Sequence, residues 1–122
     1  MGNPVGWFEI YVNDMPRAKA FYEQVLGVKL EPLDSPGIEM QAFPSEMNQY
    51  GAGGSLVHMP GFPAGNNSTL VYFSSPNCEQ EEKRVEGAGG KVIKPKFSIG
   101  QYGFITLATD TEGNMFGIHS LA

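Results

Sequence analysis

Phe8, Ile10 and Val12 alternate with Trp7, Glu9 and Tyr11, the two-residue period of a strand whose two faces meet different surroundings. Asn13 and Asp14 interrupt that alternation. From Pro16 to Leu26, the apolar residues Ala18, Phe21, Tyr22, Val25 and Leu26 recur at three- and four-residue spacing. This predicts an amphipathic helix, with Gly27 placed to stop it in the left-handed conformation. Leu30, Ile38 to Phe43 and Ser55 to Met59 read as three further strands, the last reached through Gly51-Ala52-Gly53-Gly54. Pro60 to Asn67, rich in Pro, Gly and Asn, reads as a linker. Beyond it, Leu70 to Phe73 is a strand, Cys78 to Glu86 a helix, and Lys91 to Ile93, Phe104 to Ala108 and Phe116 to His119 three strands. Asp110 to Asn114 turns the chain between the last two.

The second half repeats the first. An offset of 63 residues lays Trp7-Phe8-Glu9-Ile10 on Leu70-Val71-Tyr72-Phe73, Asp14 on Asn77, Gly27 on Gly90, Pro32 on Pro95 and Gly37 on Gly100. Each copy is a βαβββ module, the first spanning about 4–60 and the second about 68–122. A chain of 122 residues with 41% hydrophobic content can bury one core, so the two modules are expected to form a single α+β domain.

Composition narrows the function. The net charge is −5, and the eight basic residues are scattered, so no basic stripe suits a nucleic acid. No apolar run reaches the roughly 18 to 20 residues that span a bilayer, and Met1-Gly2-Asn3-Pro4 does not begin a secretory signal; a soluble, cytoplasmic protein is expected. A single cysteine, Cys78, forms no internal disulfide and reads as structural. In an unsecreted protein the glycosylation-like matches at Asn66 and Asn67 are chance. Gly51-Ala52-Gly53-Gly54 lacks the Lys-Ser/Thr tail of a phosphate loop and reads as a flexible loop beside a cavity. Glu79 to Glu86 reads as a solvated helix side with Cys78 and Val85 turned inward.

The paired modules, with Asp14 before the first helix, Phe21-Tyr22 and Leu26-Gly27 along it, Gly89-Gly90 after the second, and Asp110-Thr111-Glu112-Gly113-Asn114 near the end, resemble the vicinal oxygen chelate superfamily. That superfamily includes glyoxalase I, bleomycin-resistance proteins and extradiol dioxygenases. Within it, the Trp7-Phe8-Glu9 strand is similar to a small glyoxalase-related branch. The resemblance implies a mixed sheet curled into a cup, helices outside, a ligand cavity inside, and pairing as a homodimer. Met47, Tyr50, Met59 and Phe62 would then lie near a cavity entrance or a dimer contact.

The resemblance also implies four metal-ligating positions, on the first and last strands of each module. Counting back from Asp14 gives Trp7, and the repeat offset carries that to Leu70. Counting on from Asn114 gives Gly117, and matching Val57-His58 to Ile118-His119 gives Leu56. None of the four supplies a donor to a divalent ion, so neither a metal nor another cofactor is expected.

If these positions face the cavity, strand alternation turns Glu9, Tyr11, His58, Tyr72, Ser74 and His119 the same way. The cavity so predicted is lined by Trp7, Glu9, Tyr11, Leu56, His58, Leu70, Tyr72, Gly117 and His119. This lining suits a small, partly apolar organic molecule, with glycine at 117 leaving room for it. Glu9, a carboxylate in a largely buried strand, is the candidate catalytic group: unless paired it has a raised pKa and can act as a general base. The alternative is a structural hydrogen bond to Tyr72 or the backbone. The reading is therefore a metal-free ligand-binding protein. It stands beside an isomerase or lyase using Glu9 and a histidine, a metalloenzyme with relocated ligands Glu9, His58 and His119, and a purely structural or regulatory dimer.

Overall fold

The computed structural model describes residues 2–46, 48–49, 51–65, 68–111 and 114–122, so the expectations for Met47, Tyr50, Asn66 and Asn67 lie outside it. The chain divides into two compact units, Phe8–Thr69 and Met1–Trp7 with Leu70–Ala122. Each is a βαβββ module, and the fold class is α+β. Strand β1 (Val5–Tyr11) passes from one unit into the other between Trp7 and Phe8.

The first unit holds most of β1, helix α1 (Met15–Leu26), β2 (Glu31–Leu33), β3 (Glu39–Ala42) and β4 (Gly53–His58), with the strands ordered β2-β3-β4-β1. Asp14 caps α1, its carboxylate accepting the Arg17 amide at 3.0 Å. Gly27, at φ 67°, closes the helix with its amide on the Glu23 carbonyl. The Glu23 carboxylate also takes the Leu30 amide at 2.8 Å, pinning the approach to β2. Val12, Met15, Leu30 and Leu56 form the core, flanked by Ile10, Ala18, Tyr22 and Phe43. The buried stripe of α1 is thus Met15, Ala18 and Tyr22. Phe21 (56% exposed), Val25 and Leu26 lie outside it, because three- and four-residue spacing admits two overlapping stripes and Met15 anchors the other one.

Two expectations for this unit change. Gly53 and Gly54 belong to β4 and not to a loop. The Phe8 ring lies against Gly54, where a Cβ would come within 2.5 Å of it, so the glycine admits the aromatic ring into the core. The strand expected from Leu30 starts at Glu31, and Leu30 itself enters the core.

The second unit contains β5 (Thr69–Ser74), α2 (Cys78–Val85) followed by a 3-10 turn (Glu86–Ala88), β6 (Lys91–Ser98), β7 (Phe104–Thr109) and β8 (Met115–Ser120). The order β5-β8-β7-β6 repeats that of the first unit. β5 runs parallel to β8, and the other pairings are antiparallel, so the sheet is mixed. β6 is longer than the Lys91 to Ile93 expected. Pro95 is accommodated because β6 is last in the order and its pairing shifts register on both sides of Lys94. Asp110 and Asn114 close the turn before β8 with two hydrogen bonds of 2.9 Å; Glu112 and Gly113 lie outside the described residues.

Asn77 caps α2, and Cys78 is fully buried with its amide on Ser120 Oγ. The acidic side of α2 is less solvated than its composition predicts. Glu82 Oε1 accepts the Lys96 amide and lies 2.9 Å from Thr106 Oγ1, tying helix to sheet, while Glu81 accepts the Ser75 hydroxyl at 2.6 Å. The repeat holds in detail: Gly37 and Gly100 both sit at φ 75°. Among the described residues no helix is long and apolar enough to cross a membrane.

Gly103 sits at φ 106°, and a Cβ there would lie 2.4 Å from the Ser120 carbonyl oxygen. Gly103→Ala is therefore expected to destabilise by at least about 2 kcal/mol in a denaturant titration. Glu82→Ala, which leaves the Lys96 amide without its acceptor while the Thr106 hydroxyl keeps the Lys94 carbonyl at 2.9 Å, is expected to cost about 1–3 kcal/mol by the same measurement.

Candidate functional site

Alternation along β1 sends Phe8 and Ile10 toward α1, where Phe8 meets Phe43 with ring centroids 5.7 Å apart. Glu9 and Tyr11 consequently present the opposite face. Being two residues apart on one strand, they share that face, and the tyrosine is long enough to reach back. Its hydroxyl donates to Glu9 Oε1 at 3.0 Å. Glu9 is buried, so of the two roles considered for it, pairing is realised here through Tyr11. The Tyr11 phenol is pushed far above its ordinary pKa, first by burial, then by the neighbouring Glu9 charge and the bond to it. Phe62 covers the Tyr11 ring at 5.9 Å between centroids.

The last strand of each module follows a hydrogen-bond frame. The Val12 amide donates to the Val57 carbonyl, and the Ser75 amide donates to the His119 carbonyl, both at 2.9 Å. The repeat offset carries Val12 onto Ser75, so Val57 corresponds to His119, and Ser55 to Gly117. The sequence match that paired Leu56 with Gly117 is one residue out of register. A one-residue slip turns a side chain to the other face, which corrects the expected placement of Leu56 and His58. Leu56 packs under α1 with Val12, Met15 and Leu30. His58 follows Leu56 onto the α1 side, and its Nδ1 donates to the Val12 carbonyl at 3.0 Å.

Ser55 takes the position expected of Leu56. Tyr72 pairs with Gly117 in the second unit, and the offset carries that pair onto Glu9 and Ser55. The Ser55 side chain is 0% exposed, and its Oγ has no hydrogen-bond partner among the described residues. Buried polar atoms without a partner are rare, and one beside a buried carboxylate–phenol pair marks a place where a further polar group fits. Sequence reasoning missed Ser55 because the two histidines offered an attractive but false alignment. The signal that finds it is the amide–carbonyl frame.

In the second unit, Leu70 and Tyr72 are buried and Trp7 is half-buried. Gly117 does not leave room: the Tyr72 ring lies on it, where a Cβ would come within 2.4 Å of the ring carbons. This corrects the expected opening at 117, since the sequence does not show which neighbour fills the space a glycine leaves. His119, on the Gly117 face, has its Nε2 2.6 Å from the Tyr102 carbonyl. Both histidines thus donate a ring N–H to a backbone carbonyl. Among the described residues no three His, Cys, Asp or Glu side chains are grouped to hold a metal ion. The structure therefore brings together Glu9, Tyr11 and Ser55 in one unit and Tyr72 with Gly117 in the other, and turns Leu56 and His58 away from the first group.

A sequence model of the glyoxalase/bleomycin resistance protein/dioxygenase superfamily matches residues 5–118. No curated protein matches the chain in sequence. Among solved structures, a variant of Streptomyces coelicolor methylmalonyl-CoA epimerase in complex with 2-nitronate-propionyl-CoA is similar at a TM-score of 0.69 and 12% identity, over 98% of each chain. The Mycobacterium tuberculosis methylmalonyl-CoA epimerase is similar at 0.68 and 14% identity, over 98% of this chain and 88% of that one. A variant of 4-hydroxymandelate synthase from Streptomyces coelicolor gives 0.71 and 12% identity, over 98% of this chain and 39% of the synthase. At such identities the likeness is one of fold. The match to the family across residues 5–118 establishes that the chain belongs to the glyoxalase/bleomycin resistance protein/dioxygenase superfamily.

Proposed function

We propose that this protein binds a small, partly apolar organic molecule on the sheet face that carries Glu9, Tyr11 and Ser55, and that it does so without the metal centre of its metal-dependent relatives. The observation that carries the reading is the Ser55 hydroxyl, fully buried and without a hydrogen-bond partner among the described residues. An unmet buried hydroxyl costs stability until a partner arrives, so a polar group of a bound molecule gains what the free protein lacks. The rest of the face fits such a guest: the rings of Tyr11 and Phe62 supply flat apolar area, and the Glu9 carboxylate fixes orientation.

The residues at the family's four ligand positions do not fit a divalent ion. Trp7 and Leu70 are not ligands, Gly117 lies under the Tyr72 ring, and Ser55 contributes one neutral hydroxyl where several anionic or imidazole donors are required. No step is therefore assigned to a metal.

A second reading, acid–base turnover, is favoured by one geometric fact. The phenol of Tyr11 is held protonated against Glu9, so the face offers an acceptor and a donor side by side. The solved structures that share the fold include methylmalonyl-CoA epimerases, and a proton-transfer site on such a scaffold is in keeping with that company. Glu9→Gln distinguishes the two readings: affinity kept with turnover lost indicates catalysis, and no turnover in either form favours binding.

Ser55→Ala tests the leading reading directly. Removing an unpartnered buried hydroxyl is expected to leave the free protein as stable as before or up to about 1 kcal/mol more stable in urea. In a small-molecule screen by ligand-observed NMR, the same change is expected to weaken the hits about tenfold, the worth of one hydrogen bond to a buried group. Destabilisation by Ser55→Ala, or unchanged binding of every hit, contradicts the reading.

The Tyr11 phenol gives a pH test. Its folded-state pKa lies above its unfolded value of about 10, so its contribution to stability is complete below about pH 10 and is lost as pH rises above it, because the unfolded chain ionises first. Absorbance at alkaline pH is expected to show a late tyrosine step well above the ordinary phenol range, from Tyr11. Tyr11→Phe is expected to abolish that late step and flatten the alkaline loss of stability.

A further inference from the structure

Helix α2 covers its sheet incompletely. Of Cys78–Val85, only the two terminal residues are apolar; Cys78 is buried at one end, and Val85 is followed by the short turn to Ala88. Beneath the C-terminal half lie Phe73 and Phe116, in edge-to-face contact at 5.9 Å, together with Ile118. Three large apolar side chains facing one valine leave a cleft of about 290 Å³, at the small end of the roughly 300–1,000 Å³ typical of ligand sites.

Two charged residues line this cleft, Glu81 and Arg84, three residues apart and hence on one side of the helix. They do not pair with each other. Glu81 Oε1 accepts the Ser75 hydroxyl at 2.6 Å, which fixes the carboxylate in place, and Arg84 makes no ion pair among the described residues. An apolar floor is thus edged by one anion and one cation that are not neutralising one another. A guest with a lone carboxylate meets Arg84 but is repelled by Glu81, and a lone amine meets the converse; only a molecule with both charges satisfies both. We propose that this cleft binds a small apolar α-amino acid, with its side chain on Phe73, Phe116 and Ile118, its ammonium at Glu81 and its carboxylate on the Arg84 guanidinium, whose fork suits bidentate contact. The site shares no residue with Glu9, Tyr11 and Ser55, so each assignment stands or fails alone.

The test is a titration of the ¹⁵N-labelled full chain with L-phenylalanine, beside 3-phenylpropionate, which lacks the ammonium, and phenethylamine, which lacks the carboxylate. The expected result is saturable shifts at Phe73, Val85, Phe116 and Ile118, with both analogues at least about tenfold weaker than the amino acid. Arg84→Gln, which removes the charge and the fork, and Glu81→Gln, which removes the charge but keeps the shape, are each expected to weaken binding about tenfold, with the remaining amide spectrum unchanged as the control for folding. The proposal is overturned by the absence of saturable shifts, by 3-phenylpropionate binding as tightly as phenylalanine, by unchanged affinity in Arg84→Gln, or by shifts centred on Tyr11 and Ser55.

Discussion

The hydrogen bond from the Val12 amide to the Val57 carbonyl decides which side chains of β4 meet α1 and which meet Glu9 and Tyr11. A strand has only two faces, so fixing one residue fixes all of them. In this register Leu56 completes the core with Val12, Met15 and Leu30, Gly54 admits the Phe8 ring, and Ser55 arrives at the place that Gly117 holds in the other module. Shifted by one, Ser55 would enter the core and Leu56 would face a buried carboxylate. Packing and chemistry are therefore set by the same bond, which is why a fully buried serine with an unmet hydroxyl is tolerated: its neighbours on the strand are where the core needs them.

Much of this was legible without coordinates, and for a definite reason. Elements that announce themselves through local physics, such as the alternation in β1, the helix ending near Leu26 and the left-handed Gly27, lie where the residues predict them. The internal repeat made the βαβββ order and the family readable as well. The misreadings share a cause of another kind. Leu56 against Ser55, the space at Gly117 and the role of Gly54 all depend on which residue lies across from which, a long-range fact that composition and period do not encode. The polar run of α2 looked like simple solvation because the partners of Glu81 and Glu82 stand on other elements.

The polar groups divide by what they can still do. Glu82 is consumed by the backbone and hydroxyl donors it accepts, and each histidine places one ring nitrogen on a backbone carbonyl. Glu9 and Tyr11 share one hydrogen bond and leave acceptor oxygens on the same face, with Ser55 beside them in register. Near the C-terminal half of α2 the balance is different again: Glu81 and Arg84 carry opposite charge over apolar rings without neutralising each other. A small family fold thus carries one buried polar face and one charged apolar cleft, distinguished by the elements that build them.

The most direct test is the facing of β4 in solution, read from nuclear Overhauser contacts in selectively methyl-labelled protein. Leu56 methyl contacts to Met15 and Leu30, with Ser55 Hβ contacts to Glu9 on the adjacent strand, are the predicted result. Leu56 methyl contacts to the Tyr11 ring, with Ser55 contacting Met15, would place the strand one residue out and contradict the assignment of Ser55 to the binding face.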